Sequence, residues 1–394
     1  MASSLVRSSC VATILATTFA LAGAVACSSD PASPPGGGVD GGALPDGASG
    51  DATGPDGGEG GSGSCTAAGP VTTLGTIDKE AFDLVEAGDY LVFSDIKVGL
   101  DIGIPGAKTG GLVRIPKAGG AAVLALAPSA ADRKLGGFFA EGNTLYAIDA
   151  KGGDPNDTVV VRKTLPDGAV ESLGITGLFD GGIASIVAAD ATNLYFRAYP
   201  SGGGAGFSIY RAPKAGGAVE LVTKLPGANK DVFSVTLLGT TLWFTGVEAG
   251  TKNTFYTAPA NGNDVAPTKI EAPNKCVGDV RIAASGIACH AATELKVVSY
   301  DLAFTSEKVL FDTQAEKAPN AAIPAFVDGT RVLITQSAST PSVPLRVAPI
   351  GGGPFTTIAC DRARIVQLTA DATHYYWYED EFSKPERTVY KMAK

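Results

Sequence analysis

The chain has 394 residues and a formal net charge of −9, and its 51 glycines and 24 prolines interrupt it too often for long helices. The acidic balance, with no basic run and no stripe of aromatics interleaved with lysine, argues against nucleic acid as a partner. Its six cysteines contain no CxxC pair, which argues against the common structural zinc sites.

Residues 1–26 read as a leader. Arg7 supplies a small basic region, "VATILATTFALAGAV" an apolar stretch too short for a spanning helix, and "AVAC" a small-residue site ending in Cys27. The pattern resembles a bacterial lipoprotein signal peptide, with Ala24 where leucine is commonest. That resemblance implies diacylglycerol on Cys27, cleavage before it and acylation of the new amino terminus. The competing reading is a plain secretory peptide cleaved after Ala26. Acyl chains gain roughly 0.8 kcal/mol per buried methylene, so several together would hold the chain in a bilayer. Ser28 after the cysteine resembles outer-membrane sorting in a Gram-negative bacterium, which sets the expected location as the cell envelope.

Residues 27–65 then form a Gly-, Asp- and Pro-rich tether with almost no large apolar side chain, too poor in burial to offset the entropy of ordering. As a Gly-rich coil it spans roughly 30 to 40 Å root-mean-square.

Residues 66–394 repeat. Leu91, Leu145, Leu194, Leu242, Ile287, Val332 and Tyr375 recur at intervals of 43 to 54 residues, the period of four-stranded propeller blades. Two positions on stand Phe93, Phe196, Phe244, Ile334 and Trp377, so anchor and anchor-plus-two share one face of a strand, taken as the packed one. "VRIPKAGG", "YRAPKAGG", "YTAPANGN" and "RVAPIGGG" place Pro116, Pro213, Pro259 and Pro349 before tight turns that join a third strand to a fourth. The expected fold is therefore all-β, a propeller of about seven four-stranded blades, with six and eight blades left open. The last copy has three strands, and Val71 to Ile77 is expected to complete it and close the ring.

"YYWYED" and "LYFRAY" keep the aromatic pair of the YWTD repeat without its Thr-Asp. On those residues the domain resembles the YWTD, NHL and TolB-like propellers and the tethered lipoproteins that carry related blades. Anchor, spacer and ring in series, with no reactive constellation, give the expected function as a membrane-tethered, non-enzymatic binding or protein-interaction scaffold without catalytic residues. The alternative is an envelope hydrolase or lyase with a metal-dependent site, resembling propeller lactonases or cyclotransferases, with its chemistry at the axial channel.

Individual residues add four expectations. Cys65, Cys276, Cys289 and Cys360 allow three pairings in a disulfide-permissive compartment, with Cys276–Cys289 and Cys65–Cys360 preferred. His374 and His290 fall on opposite rims and share no site. "GIPGAKTGG" at residues 103–111 has Ala107 where a phosphate-binding loop needs glycine and reads as a surface loop. Finally, acids gather in the loops joining second to third strands: Asp95, Asp101, Asp149, Asp154, Asp157, Glu248, Glu379, Asp380 and Glu381, the last three flanked by Tyr378 and Phe382. These are the ligand-rim candidates, a solvated surface able to bind calcium or a basic or glycan partner. No other cofactor is expected. The partners expected are a lipid bilayer through Cys27 and an envelope protein or glycan, with the chain a monomer.

Overall fold

The seven anchor residues each lie in the second strand of a four-stranded antiparallel sheet, and the seven sheets are blades of a β-propeller. The computed structural model describes residues 69–79, 81–94, 110–151, 154–176, 185–198, 206–226, 231–247, 253–272, 276, 279–291, 295–316, 318, 322–336, 343–381 and 384–394. All belong to the compact unit Gly60–Lys394.

Blade 1 shows the plan, running outward through Phe82–Ala87, Tyr90–Ser94, Leu112–Pro116 and Val123–Leu126. The innermost strands of blades 2 to 7 are Arg133–Glu141, Ser185–Ala189, Val232–Leu238, Val280–Ala283, Ala322–Asp328 and Arg364–Ala370. Each touches the innermost strand of the next blade, and the last returns to the first. All except that of blade 5 also carry a register shift against the second strand, the mark of a β-bulge.

Period-two alternation has a different consequence from the one expected. Leu194 and Phe196 pack with Tyr146, Ile148 and Val160 of blade 2, whereas the intervening Tyr195 packs with Val232, Leu242 and Phe244 of blade 4. The same division recurs around the ring: Leu91 and Phe93 join blade 7, and Val92 joins blade 2. Among the described residues the apolar interior thus divides into seven clusters, one at each interface between blades. Both faces of the second strand are packed, not one, because every blade lies between two neighbours. Leu91, Val92 and Phe93 are all inaccessible to solvent, and each large side chain buried this way contributes about 1.5–3 kcal/mol.

The Pro-Lys-Ala-Gly-Gly turns tie one blade to the blade before it. Gly120 N–H donates to Leu74 O at 2.9 Å, Gly217 N–H to Gly174 O at 3.3 Å, and Val219 N–H to Thr176 O at 3.0 Å. Glycine is required here for approach as well as for turning: at Gly216, with φ +93°, an added Cβ would lie 2.1 Å from Leu173 O. Gly262 ends a turn of the same kind, and two residues on Asp264 N–H and Val265 N–H donate to Leu221 O and Val222 O of blade 3. The sequence pattern marked these glycines as turn formers and gave no sign of their second role.

The ring closes with a strand from the other end of the described chain. Blade 7 consists of Arg364–Ala370, His374–Asp380, Glu386–Ala393 and, outermost, Thr72–Asp78, which runs from Thr72 opposite Lys391 to Asp78 opposite Glu386. The closing strand lies one residue beyond the expected Val71 to Ile77. Cys276 and Cys289 are joined, with Cα atoms 5.5 Å apart, across a sequence separation of 13. Cys360, in the outer strand Thr356–Arg362 of blade 6, is also disulfide-bonded, and its partner lies outside the described residues, as does Cys65.

Deleting Thr72–Asp78 strips the seam of its backbone ladder and exposes Tyr376 and Tyr378, which pack with Leu74 and Ile77. The shortened ring is expected to aggregate or lose its single cooperative melting transition, and a scanning-calorimetry trace like that of the full chain would show that the ring closes otherwise.

Candidate functional site

Strand direction gives the ring two unlike rims. On one emerge the hairpins between first and second strands and the tight turns between third and fourth; on the other, the loops between second and third strands and the links between blades. Thr72, paired with Lys391 near the start of His374–Asp380, begins on the tight-turn rim, so the polypeptide preceding it joins the ring there. The loop rim is the opposite one.

Several of the acids expected to form a solvated loop rim are instead buried and paired. Asp149 is 2% exposed. Its carboxylate accepts Arg133 Nε at 2.8 Å and Ser129 N–H at 2.9 Å, while Arg133 Nη1 donates to Asp157 at 2.6 Å and Nη2 to the carbonyls of Asp149 and Asp157. The guanidinium thus bridges the second and third strands of blade 2 where they reach the rim. A fork of fixed N–H donors suits that task, and a charge-assisted network of this kind is worth more than a surface pair.

The acidic triplet does not form an open cluster either. Tyr378 is buried edge-on against Phe93, ring centroids 5.8 Å apart. Glu379 accepts Trp377 Nε1–H at 2.7 Å and Ala363 N–H at 3.0 Å and lies 3.5 Å from Arg362. Burial pushes its carboxyl up, offset in part by those donors. Asp380 faces Arg387 at 3.5 Å. Glu381 pairs with Lys384 at 2.7 Å. The departure has one cause: the second strand of blade 7 continues through Asp380, so alternate side chains enter the interfaces on either side. Asp154 begins the strand Asp154–Thr164. Asp95, Asp101, Glu248 and Phe382 lie outside the described residues. Among the described residues no three His, Cys, Asp or Glu side chains gather as a metal site. His290 is next to last in a second strand and His374 begins one, which puts them toward opposite rims.

A polar constellation that sequence reasoning missed lies on the tight-turn rim. Lys117 of blade 1 donates to Glu86 at 2.6 Å and to Asp371 of blade 7 at 2.9 Å, its ammonium 5.3 Å from the Tyr376 ring. Asp371 also accepts Thr373 N–H, His374 N–H and the Tyr376 hydroxyl, at 2.8, 2.9 and 2.7 Å. Blade 3 repeats half of this arrangement: Asp190 accepts Thr192 N–H, Asn193 N–H and the Tyr195 hydroxyl. Lys214 reaches Glu141 of blade 2 at 2.6 Å, and Lys394 reaches Asp328 of blade 6 at 2.8 Å. The signal was present in the repeated "PKAGG" and "DAT" strings, whose lysine and aspartate meet only across a blade interface. Desolvation raises the Asp371 carboxyl, but the Lys117, Thr373, Tyr376 and His374 donors outweigh it and hold the group well below the usual range. Burial and the Asp371 carboxylate together push the Tyr376 hydroxyl far up.

No protein-family model matches the chain, and no curated protein matches it. Solved structures do resemble it. Puromycin hydrolase superposes with a TM-score of 0.55 at 12% identity over 79% of this chain and 51% of its own. A prolyl endopeptidase gives 0.54 at 12% identity, over 80% of this chain and 48% of its own. YCF48 bound to D1 peptide gives 0.53 at 9% identity, over 82% of this chain and 96% of its own. The chain is a seven-bladed β-propeller. It spans about half the length of the two hydrolytic enzymes and nearly all of YCF48.

Because the folded-state pKa of Asp371 is depressed, its contribution to stability is complete above the ordinary value of 3.8 and is lost as pH falls from there through the lowered folded value. Asp371→Asn is expected to cost about 1–2 kcal/mol at neutral pH, after allowance for partial solvent screening. Its urea midpoint should then approach that of the unaltered protein as pH is lowered below 4; a constant difference across the acid limb would remove the carboxylate from the seam.

Proposed function

We propose that the ring is a non-enzymatic binding scaffold, held to a membrane through Cys27 and the 27–65 tether, and that it engages an envelope protein or glycan through its loop rim. The observation that carries this is the direction of the chain at Thr72. The chain enters Thr72–Asp78 from the tight-turn rim, so the loop rim is the one the incoming segment does not join. The two rims also differ in build. The tight-turn rim is taken up by short hairpins, Gly-Gly turns and lysine latches between blades, whereas the loop rim carries the long, dissimilar segments on which binding surfaces are commonly built.

The leader and tether support an envelope location, because a signal segment ending in Cys27 followed by a long Gly-rich spacer is the arrangement of an anchored, displayed domain. The similarity to a peptide-bound propeller over almost its whole length supports a binding role. A propeller hydrolase or lyase is the second reading, favoured by the likeness to puromycin hydrolase and to a prolyl endopeptidase; both are about twice as long as the part this chain matches.

Two measurements test the proposal. A photo-crosslinking residue at Ala130, exposed in the link between blades 1 and 2 on the loop rim, is expected to capture a partner on intact cells, while the same residue at Ala191, exposed in a hairpin of the tight-turn rim, captures none. Equal capture from both sites would refute presentation by the loop rim. Mass spectrometry of the mature amino terminus should find acylated Cys27, and Cys27→Ser should leave unprocessed or misrouted protein; a free peptide beginning at Cys27 without lipid would remove the anchor.

A further inference from the structure

Arginine holds one repeat position in three successive blades, and in blade 1 it lacks the partner it has in the other two. Arg114, Arg162 and Arg211 stand in third strands opposite the residue that follows the anchor, Val92, Tyr146 and Tyr195. On its other side each is opposite a residue of the outermost strand. In blades 2 and 3 that residue is a glutamate taking the Nε edge of the guanidinium: Arg162 Nε donates to Glu171 at 2.8 Å, and Arg211 Nε and Nη2 donate to Glu220 at 3.0 and 2.7 Å. In blade 1 it is Val123. The Arg114 side chain is 13% exposed and lies 4.7 Å over the Tyr90 ring. Its Nε and Nη1 are buried without a hydrogen-bond partner, and Nη2 is 3.6 Å from Asp167, a carboxylate that stands almost wholly in solvent. Buried donors left unpaired are costly, more so on a charged group.

The strand beside Arg114 also differs from its counterparts. Val123–Leu126 reads Val-Leu-Ala-Leu and, among the described residues, is the one outermost strand of the seven without a polar side chain. It ends its sheet, so no strand of the described chain pairs with its outer edge. Lys163 of blade 2 covers the Ala125 carbonyl at 2.7 Å. Ahead of that point Ala121, Ala122, Val123 and Leu124 are all exposed, the last two at 45% and 48%. Four consecutive exposed apolar residues on a sheet edge form a template for a further strand, and folded proteins ordinarily charge or cover such an edge.

We infer that the outer edge of blade 1 at Ala121–Leu124 binds an extended segment of a partner protein, and that a glutamate side chain of that segment supplies Arg114 with the carboxylate that Glu171 and Glu220 supply in the sister blades. A strand added to this edge lies one spacing, about 4.8 Å, beyond Val123. Its residue opposite Val123 points to the same face as Val123 and Arg114. Valine is short, so a glutamate and an arginine can meet over it, and the fork of N–H donors suits a carboxylate. A second copy of this chain paired edge to edge brings only Val-Leu-Ala-Leu and leaves Arg114 as it is. The edge lies on the outer flank of the ring and stands apart from the loop-rim partner, so either can fail without the other.

Fluorescence anisotropy of labelled, end-blocked hexapeptides titrated with the full chain provides the test. A peptide of alternating valine and glutamate is expected to bind with a Kd on the order of 100 μM, and its valine and glutamine counterpart about tenfold more weakly. Free glutarate should not compete below about 10 mM. Arg114→Gln should bring the glutamate peptide down to the affinity of the glutamine peptide and leave the latter unchanged. Val123→Glu, which sets a carboxylate opposite Arg114 as in blades 2 and 3, should weaken the glutamate peptide about tenfold while its melting temperature holds or rises. No binding of either peptide, equal affinity for both, a preference for glutamate that survives Arg114→Gln, or glutarate that competes as well as the peptide would each overturn the proposal. So would a concentration-dependent dimer of the unaltered chain that Val123→Glu dissociates in sedimentation, since the edge would then belong to a second copy. Should Arg114→Gln unfold, Val123→Glu alone decides it.

Discussion

The ladder between Thr72–Asp78 and Glu386–Ala393 is the interaction on which the remaining interfaces depend. Every second strand is packed on both faces, so each blade needs two neighbours, and a linear row of seven would leave two blades half bare. The cost of such bare faces is large. Leu91 and Phe93 on one side of the seam and Tyr376 and Tyr378 on the other are all buried, and exposing them would forfeit several times the 1.5–3 kcal/mol that one large apolar side chain contributes. Closure is thus the condition under which the repeat can fold at all, and the seam supplies it with a strand taken from far away in the sequence.

Much of this could be read from the residues because the repeat is strict where packing is strict. The anchor positions, the aromatic two residues on and the Pro-Gly turns are fixed by burial and by backbone angle, both of which select residue types locally. The acids near the ends of second strands were misplaced for a physical reason. An Asp or Glu in a sequence reads as solvated, yet Asp149 and Glu379 are held inside by Arg133 and Arg362, residues 16 and 17 positions away whose approach exists only once adjacent strands are paired. The Lys117 to Asp371 contact, 254 positions apart, lies still further beyond sequence pattern.

Among the described residues several charges are turned inward on the structure itself. The latches on the tight-turn rim and the Arg133 network at the loop rim join blade to blade or strand to strand, where pairing is partly shielded from solvent and from salt.

The seam also orders events in time. Thr72–Asp78 is made before its partner and can find its native place only after Glu386–Ala393 has followed it out of the ribosome, because that strand is the one it pairs with. Until then blades 1 to 6 can form sheets and begin to stack, but the outer edge of blade 7 remains open. The chain is consequently committed to its native topology by its last residues, a long-range contact that slows folding. A ring closed in this way cannot lock while Glu386–Ala393 is still being made or is held in extended form.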